Sequence, residues 1–140
     1  MPSVAALYTP EVLGLATMLA AYRLTDDLPL RGRARSASCG STLEVGIALD
    51  AAGRIARIGL AAQACAVGQA AAAIMAAQAP GRSEQDFAQA EAALVAWLAG
   101  QGDLPDWPGL ESIAPARGFP GRHGAILLGW RAVREAFAAR

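Results

Sequence analysis

Lysine and asparagine are absent from this sequence, cysteine occurs only twice and histidine only once. All twelve basic residues are arginine, and twelve acidic residues balance them to a formal net charge of zero. No global field therefore draws the chain toward nucleic acid or acidic lipid. No apolar run is long enough to span a bilayer: Val12 to Tyr22 and Ala70 to Ala77 are both short. The first of these also lacks the basic flank of a secretory leader. These absences predict a cytoplasmic protein with no membrane and no nucleic-acid partner. In that compartment a cysteine pair more often binds metal or does redox chemistry than forms a structural disulfide. No serine–histidine–acid triad and no phosphate-cradling glycine loop argues for an enzyme.

What is present reads as one domain over residues 1–140, long enough to bury a core. Thr9-Pro10-Glu11 is a helix start, with an N-cap, a proline at the first helical position and an acid in the first turn. Apolar residues then recur at helical spacing to about Tyr22, and Asp26-Asp27-Leu28-Pro29 ends the element. Arg31, Arg33 and Arg35 alternate with small residues, the pattern of an exposed edge strand or arm. Thr42 to Asp50 alternates as a strand with Leu43, Val45, Ile47 and Leu49 on one face. Asp50 to Gly53 is a hairpin turn, and Arg54 to Leu60 begins the return strand, its alternation slipping at Arg57-Ile58 like a bulge.

Helices fill most of the remainder. One runs from Ala66 to Gln78 and stops at Pro80-Gly81. Ser83 and Asp86 form a capping box for the next, which presents Phe87, Ala90, Leu94 and Trp97 on one face. Residues 100–121 are a Gly/Pro-rich connection in which Leu104, Trp107, Leu110 and Ile113 either pin the loop to the core or form a short helix. The last helix starts near His123 with Ile126, Trp130, Val133 and Phe137 in one stripe. The fold class is α+β: a small antiparallel sheet of two to three strands packed against four to five helices.

The candidate chemistry lies in the two cysteines. Cys39 precedes the outgoing strand and Cys65 follows the return strand, so the hairpin brings their ends of the sheet together. Cys65 also opens a helix, where the macrodipole favours a thiolate. His123 opens the last helix. Two thiolates and an imidazole suit zinc or an iron–sulfur cluster. Against this stands the plainer reading that free cysteines are among the most buried residues and often inert. A histidine at a helix start is as often a solvated cap as a ligand.

The segments around these residues resemble the IscU/NifU-type iron–sulfur cluster assembly scaffolds, SufU-like branch, over nearly the whole chain. Ser38-Cys39-Gly40-Ser41 resembles the family's Pro-x-Cys-Gly-Asp turn, and Leu7-Tyr8 with Glu11-Val12-Leu13 its first helix. Cys65-Ala66-Val67-Gly68-Gln69-Ala70 through Met75 resembles its Cys-Ala-Ile-x-x-Ala helix, the most specific of these matches. Arg122-His123-Gly124-Ala125, with Leu128 and Trp130, resembles its Arg-x-x-Cys helix. The resemblance implies a protein that binds iron, accepts sulfur from a cysteine desulfurase, holds a transient [2Fe–2S] cluster and passes it to acceptor apoproteins. Cys39 and Cys65 match two of the family's three cysteines. The third is replaced by Ala125, or by Gly124 if the gap is placed differently, and the aspartate by Ser41.

The resemblance thus leaves Cys39, Cys65 and His123 as candidate metal ligands, with Ser41 a weak fourth. A zinc-binding sulfur-transfer partner of the desulfurase and a degenerate, metal-free protein-binding paralogue are the rival readings. A neutral hydroxyl is a poor substitute for a carboxylate, so metal binding should be weak. Zinc titration is expected to show tighter binding by an Ala125→Cys variant; equal affinity would refute this account of the missing ligand.

Overall fold

The computed structural model describes residues 3–140. Helix α1 (Pro10–Thr17) begins at the predicted cap, where Thr9 Oγ1 accepts the Val12 N–H at 3.1 Å. It tightens into a 3-10 turn over Met18–Ala21. Three strands follow: β1 (Leu30–Arg35), β2 (Thr42–Leu49) and β3 (Ile55–Gln63). They form one antiparallel sheet in the order β1-β2-β3. The arginine-rich segment is therefore an edge strand.

The β2–β3 turn closes as its residue types require. Asp50 Oδ1 accepts the N–H groups of Ala52 and Arg54 at 2.9 and 3.0 Å, and Gly53 takes φ +78°. Ala48 pairs with Arg57 and Leu49 with Ile55, which leaves Ala56 as the bulged residue. The bulge lies one position before Arg57-Ile58, where the alternation had placed it. β3 also runs past Leu60, because Ala61, Ala62 and Gln63 continue the ladder opposite Glu44, Leu43 and Thr42. Ladder pairing there outweighs the poor strand preference of alanine.

Helix α2 (Ala66–Ala77) is the centre of the molecule: nine of its twelve residues are buried. Such all-round burial suits a helix of small side chains packed on several sides. It touches α1 on one side and α4 (His123–Ala138) on the other. α4 packs on β1 and β2 and also meets α3 (Glu84–Leu98), which starts with the predicted Ser83/Asp86 capping box. All four residues of the α4 stripe are buried. The long connection is anchored by Trp107, whose indole N–H donates to the Ile74 carbonyl at 3.1 Å. Its ring meets Phe87 and Trp130 edge-on, at 5.3 and 5.4 Å between centroids. From there 3-10 turns over Leu110–Gly118 and Pro120–Arg122 lead into α4.

One core runs through these layers from Leu7 to Phe137. Among the described residues no helix is long and apolar enough to cross a membrane. The tightest approach joins α4 to the sheet at Gly32. A methyl there would overlap the Ala132 carbonyl oxygen and lie 2.6 Å from the Ala136 nitrogen. Both are backbone atoms, so relief requires the helix to move off the strand. Gly32→Ala is expected to lower unfolding free energy by about 2–3 kcal/mol in urea denaturation. The control Gly14→Ala lies on the exposed face of α1 with nothing within 4 Å and should raise it by about 0.5–1 kcal/mol.

Candidate functional site

Strand register sets the site. Thr42 pairs with Gln63 and Arg35 with Thr42, so all three strands reach the same rim of the sheet. Cys39 sits in the turn that enters β2, and Cys65 lies two residues beyond the end of β3. Both are free thiols, Cys39 exposed and Cys65 half-buried.

The turn carrying Cys39 is closed by backbone bonds. Ser36 N–H donates to the Ser41 carbonyl at 2.8 Å, Gly40 N–H donates to the Ser36 carbonyl at 2.8 Å, and Gly40 has φ +71°. Only glycine takes that conformation without strain, so the turn needs this residue beside the thiol. Ser36 and Ser41 are buried while Cys39 between them is exposed. Cys39 Sγ lies within hydrogen-bonding distance of Ser41 Oγ, at 3.1 Å, and of Ser36 Oγ, at 3.3 Å, and its one proton serves one hydroxyl at a time. Ser36 Oγ lies 3.1 Å from Ser38 Oγ.

These hydroxyls hold the Cys39 thiol below its ordinary pKa. The largest effect is the Ser36 hydrogen bond, followed by the Ser41 hydroxyl and the Ser41 backbone. The Arg122 guanidinium adds a smaller contribution of the same sign, against slight desolvation. In the thiolate form the hydroxyls reverse roles and donate to sulfur, which is why they favour the charged state.

Cys65 occupies the N-cap of α2, and its side chain makes no capping hydrogen bond. Its carbonyl accepts the Gln69 N–H at 2.9 Å, and Gln69 Nε2 in turn holds the Ala64 carbonyl at 2.8 Å. Its side chain lies against the core. The first turn of α4 closes the rim. A Cβ on Gly124 would overlap Ser36 Oγ and come within 3.4 Å of Ser38 Oγ. Ala125 is buried, its methyl close to Gly68 in the first turn of α2. The start of α4 therefore wedges between the serine turn and the Cys65 helix.

His123 is the first residue of α4, half-buried, with Nε2 2.8 Å from the Arg117 carbonyl. A carbonyl only accepts, so this nitrogen carries the proton and Nδ1 alone keeps a lone pair for a ligand. Among the described residues no three His, Cys, Asp or Glu side chains gather closely enough to hold a metal ion. The structure brings Cys39, Ser36, Ser38 and Ser41 together at one turn, with Arg122 beside them. It does not add His123 to the two cysteines as a three-ligand group. The donor set thus does not fit a resident zinc ion, which wants four ligands or three plus water.

Sequence reasoning singled out Ser41 as a weak ligand and overlooked Ser36 and Ser38 as hydroxyl partners of the thiol. The signal was three serines within six residues around one cysteine. Replacing Ser36 and Ser41 together by Ala should move the alkylation–pH profile of Cys39 to higher pH. Arg122→Gln should move it less in the same direction. Iodoacetamide rates in a Cys65→Ala background measure this, and a profile that stays in place would contradict the cradle.

The fold has solved counterparts. A crystal structure of a nitrogen-fixing NifU-like protein (N-terminal) from Brucella abortus matches with a TM-score of 0.84 at 24% identity, covering 97% of this chain and 95% of that one. A putative iron–sulfur cluster assembly scaffold protein for the SUF system from Fervidobacterium islandicum matches at 0.83 and 16% identity, covering 96% and 99%. A third structure, described only as a hypothetical protein, matches at 0.72 and 19% identity, covering 89% and 96%. No protein-family model and no curated protein matches the chain. The three-stranded antiparallel sheet with its helical layer is the NifU N-terminal-like fold, over nearly the whole chain.

Proposed function

We propose that this protein serves in iron–sulfur cluster assembly by accepting sulfur from a cysteine desulfurase on Cys39 and offering Cys39 and Cys65 as ligands to the growing cluster. One observation carries the reading: an exposed thiol, acidified by two buried serine hydroxyls, at the rim where Cys65 also lies. The fold match to proteins described as NifU-like and as a cluster assembly scaffold supports it.

Sulfur acceptance needs a thiolate that a partner can reach. The Cys39 thiolate attacks the terminal sulfur of the desulfurase persulfide. A new S–S bond forms on Cys39, the donor's S–S bond breaks, and the donor cysteine leaves as a thiolate. No net oxidation occurs. A lowered thiol pKa enlarges the reactive thiolate fraction near neutral pH, at some cost in intrinsic nucleophilicity. Iron and cluster are cargo in this scheme, and acceptor apoproteins take them away. The protein holds its cargo and turns over no substrate of its own. Its two free thiols suit a reducing compartment such as the cytoplasm.

A [2Fe–2S] cluster uses four protein ligands, and this rim offers two thiolates with neutral hydroxyls beside them. That donor set favours a narrower second reading, sulfur acceptance without cluster building. The zinc-holding variant of that role needs more ligands than the described side chains gather.

Anaerobic incubation with the host's cysteine desulfurase and free cysteine is expected to add sulfur to the wild-type chain at Cys39 by intact and peptide mass spectrometry. Cys39→Ala should abolish the gain, and Cys65→Ala should leave it. Reconstitution with ferrous iron then separates the two readings, since cluster colour should require both cysteines. Equal sulfur on the Cys39→Ala protein, or none on the wild type, would overturn the proposal.

A further inference from the structure

The arginine strand is the feature that the site chemistry leaves unused. Register puts Arg31, Arg33 and Arg35 of β1 on the sheet face opposite α4, beside Thr42 and Glu44 of β2. Arg31 is committed there: it pairs with Glu44 at 3.7 Å and donates to the Leu28 and Thr25 carbonyls. Arg33 and Arg35 are exposed, and among the described residues neither makes an ion pair or a side-chain hydrogen bond. Elsewhere in this electrically neutral chain Arg54, Arg57, Arg131, Arg134 and Arg140 all find carboxylates. Arg82, Arg117 and Arg122 donate instead to the Gln78 and Trp97 carbonyls and the Tyr8 hydroxyl, and Arg33 and Arg35 place two unpaired charges on one face at the cysteine end of β1.

The surface around it is open. A hollow of about 310 Å³ lies over Arg33, Thr42, Glu44, Ala61 and Gln63. A second, of about 290 Å³, lies over Arg33, Ala34, Arg35 and Thr42. β1 is the end strand of the sheet, and no backbone hydrogen bond joins Leu30–Arg35 to any described segment other than β2. Arg35 is followed at once by Ser36 of the Cys39 turn, so this strip and the thiol form one continuous surface.

We propose that the free edge of β1 and the outer sheet face beside Cys39 are the docking strip for an acidic, extended segment of the sulfur-donating partner. The inference rests on the function proposed above. The segment adds as a strand to β1 through backbone hydrogen bonds, and its carboxylates meet Arg33 and Arg35. Charge selects the occupant. A second copy of this chain pairing edge to edge would set arginine against arginine, the repulsion that protects natural sheet edges. Single-stranded RNA wants an aromatic platform for its bases. The residues lining both hollows include no aromatic. An acidic strand gains both the edge and the charge.

The test uses a fluorescein-labelled peptide of alternating Glu and Val, with serine-for-glutamate and lysine-for-glutamate peptides of equal length as controls. Anisotropy should show that only the acidic peptide binds, more weakly as salt rises. Arg33→Glu with Arg35→Glu should weaken binding by about tenfold or more. Arg134→Glu, on α4, should leave it unchanged. In the wild-type chain the acidic peptide should slow amide exchange in β1, a readout that does not depend on the variant folding. Equal binding of the serine peptide, unchanged binding by the double reversal, or preferential binding of a single-stranded RNA oligonucleotide would overturn the strip. Cys39→Ala should keep peptide binding, and inorganic polysulfide should load Cys39 without any docking. Loss of docking with polysulfide loading intact indicts the strip alone. Intact docking with no sulfur acquired by Cys39 from polysulfide or desulfurase indicts the sulfur-accepting role alone.

Discussion

The pairing of Thr42 with Gln63 is the constraint on which the site depends. It brings the ends of β2 and β3 level, and so sets Cys39 and Cys65 at one rim. The core enforces this register. Leu43, Val45 and Ile47 are buried on the inner face, and a slip of one residue would turn all of them to solvent. Burying each such side chain is worth about 1.5–3 kcal/mol, so slippage is strongly disfavoured. The site's geometry is a by-product of packing rather than a separate investment. The close contact of α4 with Gly32 extends the same logic to β1 and the serine turn that follows it.

At that rim, acidity comes from neutral hydroxyls. Ser36 and Ser41 are buried polar groups, and Cys39 gives both a hydrogen-bond partner while they stabilise its charged form. Gly124 is coupled to this arrangement, because any side chain there would meet the Ser36 hydroxyl. A serine cradle and a ligand projecting from position 124 are thus alternatives for the same space. In the function proposed above, such a chain carries sulfur on one thiol rather than gripping an ion with four ligands. The unpaired arginines beside the thiol extend the site onto the surface, where recognition is a matter of charge and a free strand edge.

Much of the fold was legible because its signals are local. Thr9-Pro10-Glu11, the Ser83/Asp86 box, the β2 alternation and the α4 stripe each follow from a few neighbouring residues. So does the position of both cysteines relative to the hairpin. The bulge was read one residue late because Arg57 and Ile58 break the apolar alternation, while the unpaired residue is the nearby Ala56. The return strand ends at Gln63, just before Cys65, where the sequence placed its end. The cradle was less legible for another reason. Which serine meets sulfur depends on how the Ser36–Ser41 turn closes, and which atom His123 Nε2 meets depends on the fold of the Arg117 segment. Neither is written in spacing.

The central claim is that both thiols share one rim of one chain. Dibromobimane, which becomes fluorescent when two neighbouring thiols displace its two bromides, tests this most directly. The account predicts fluorescence on a product that stays monomeric on a denaturing gel, lost in Cys39→Ala and in Cys65→Ala. Separate alkylation of both cysteines without that fluorescence would contradict it.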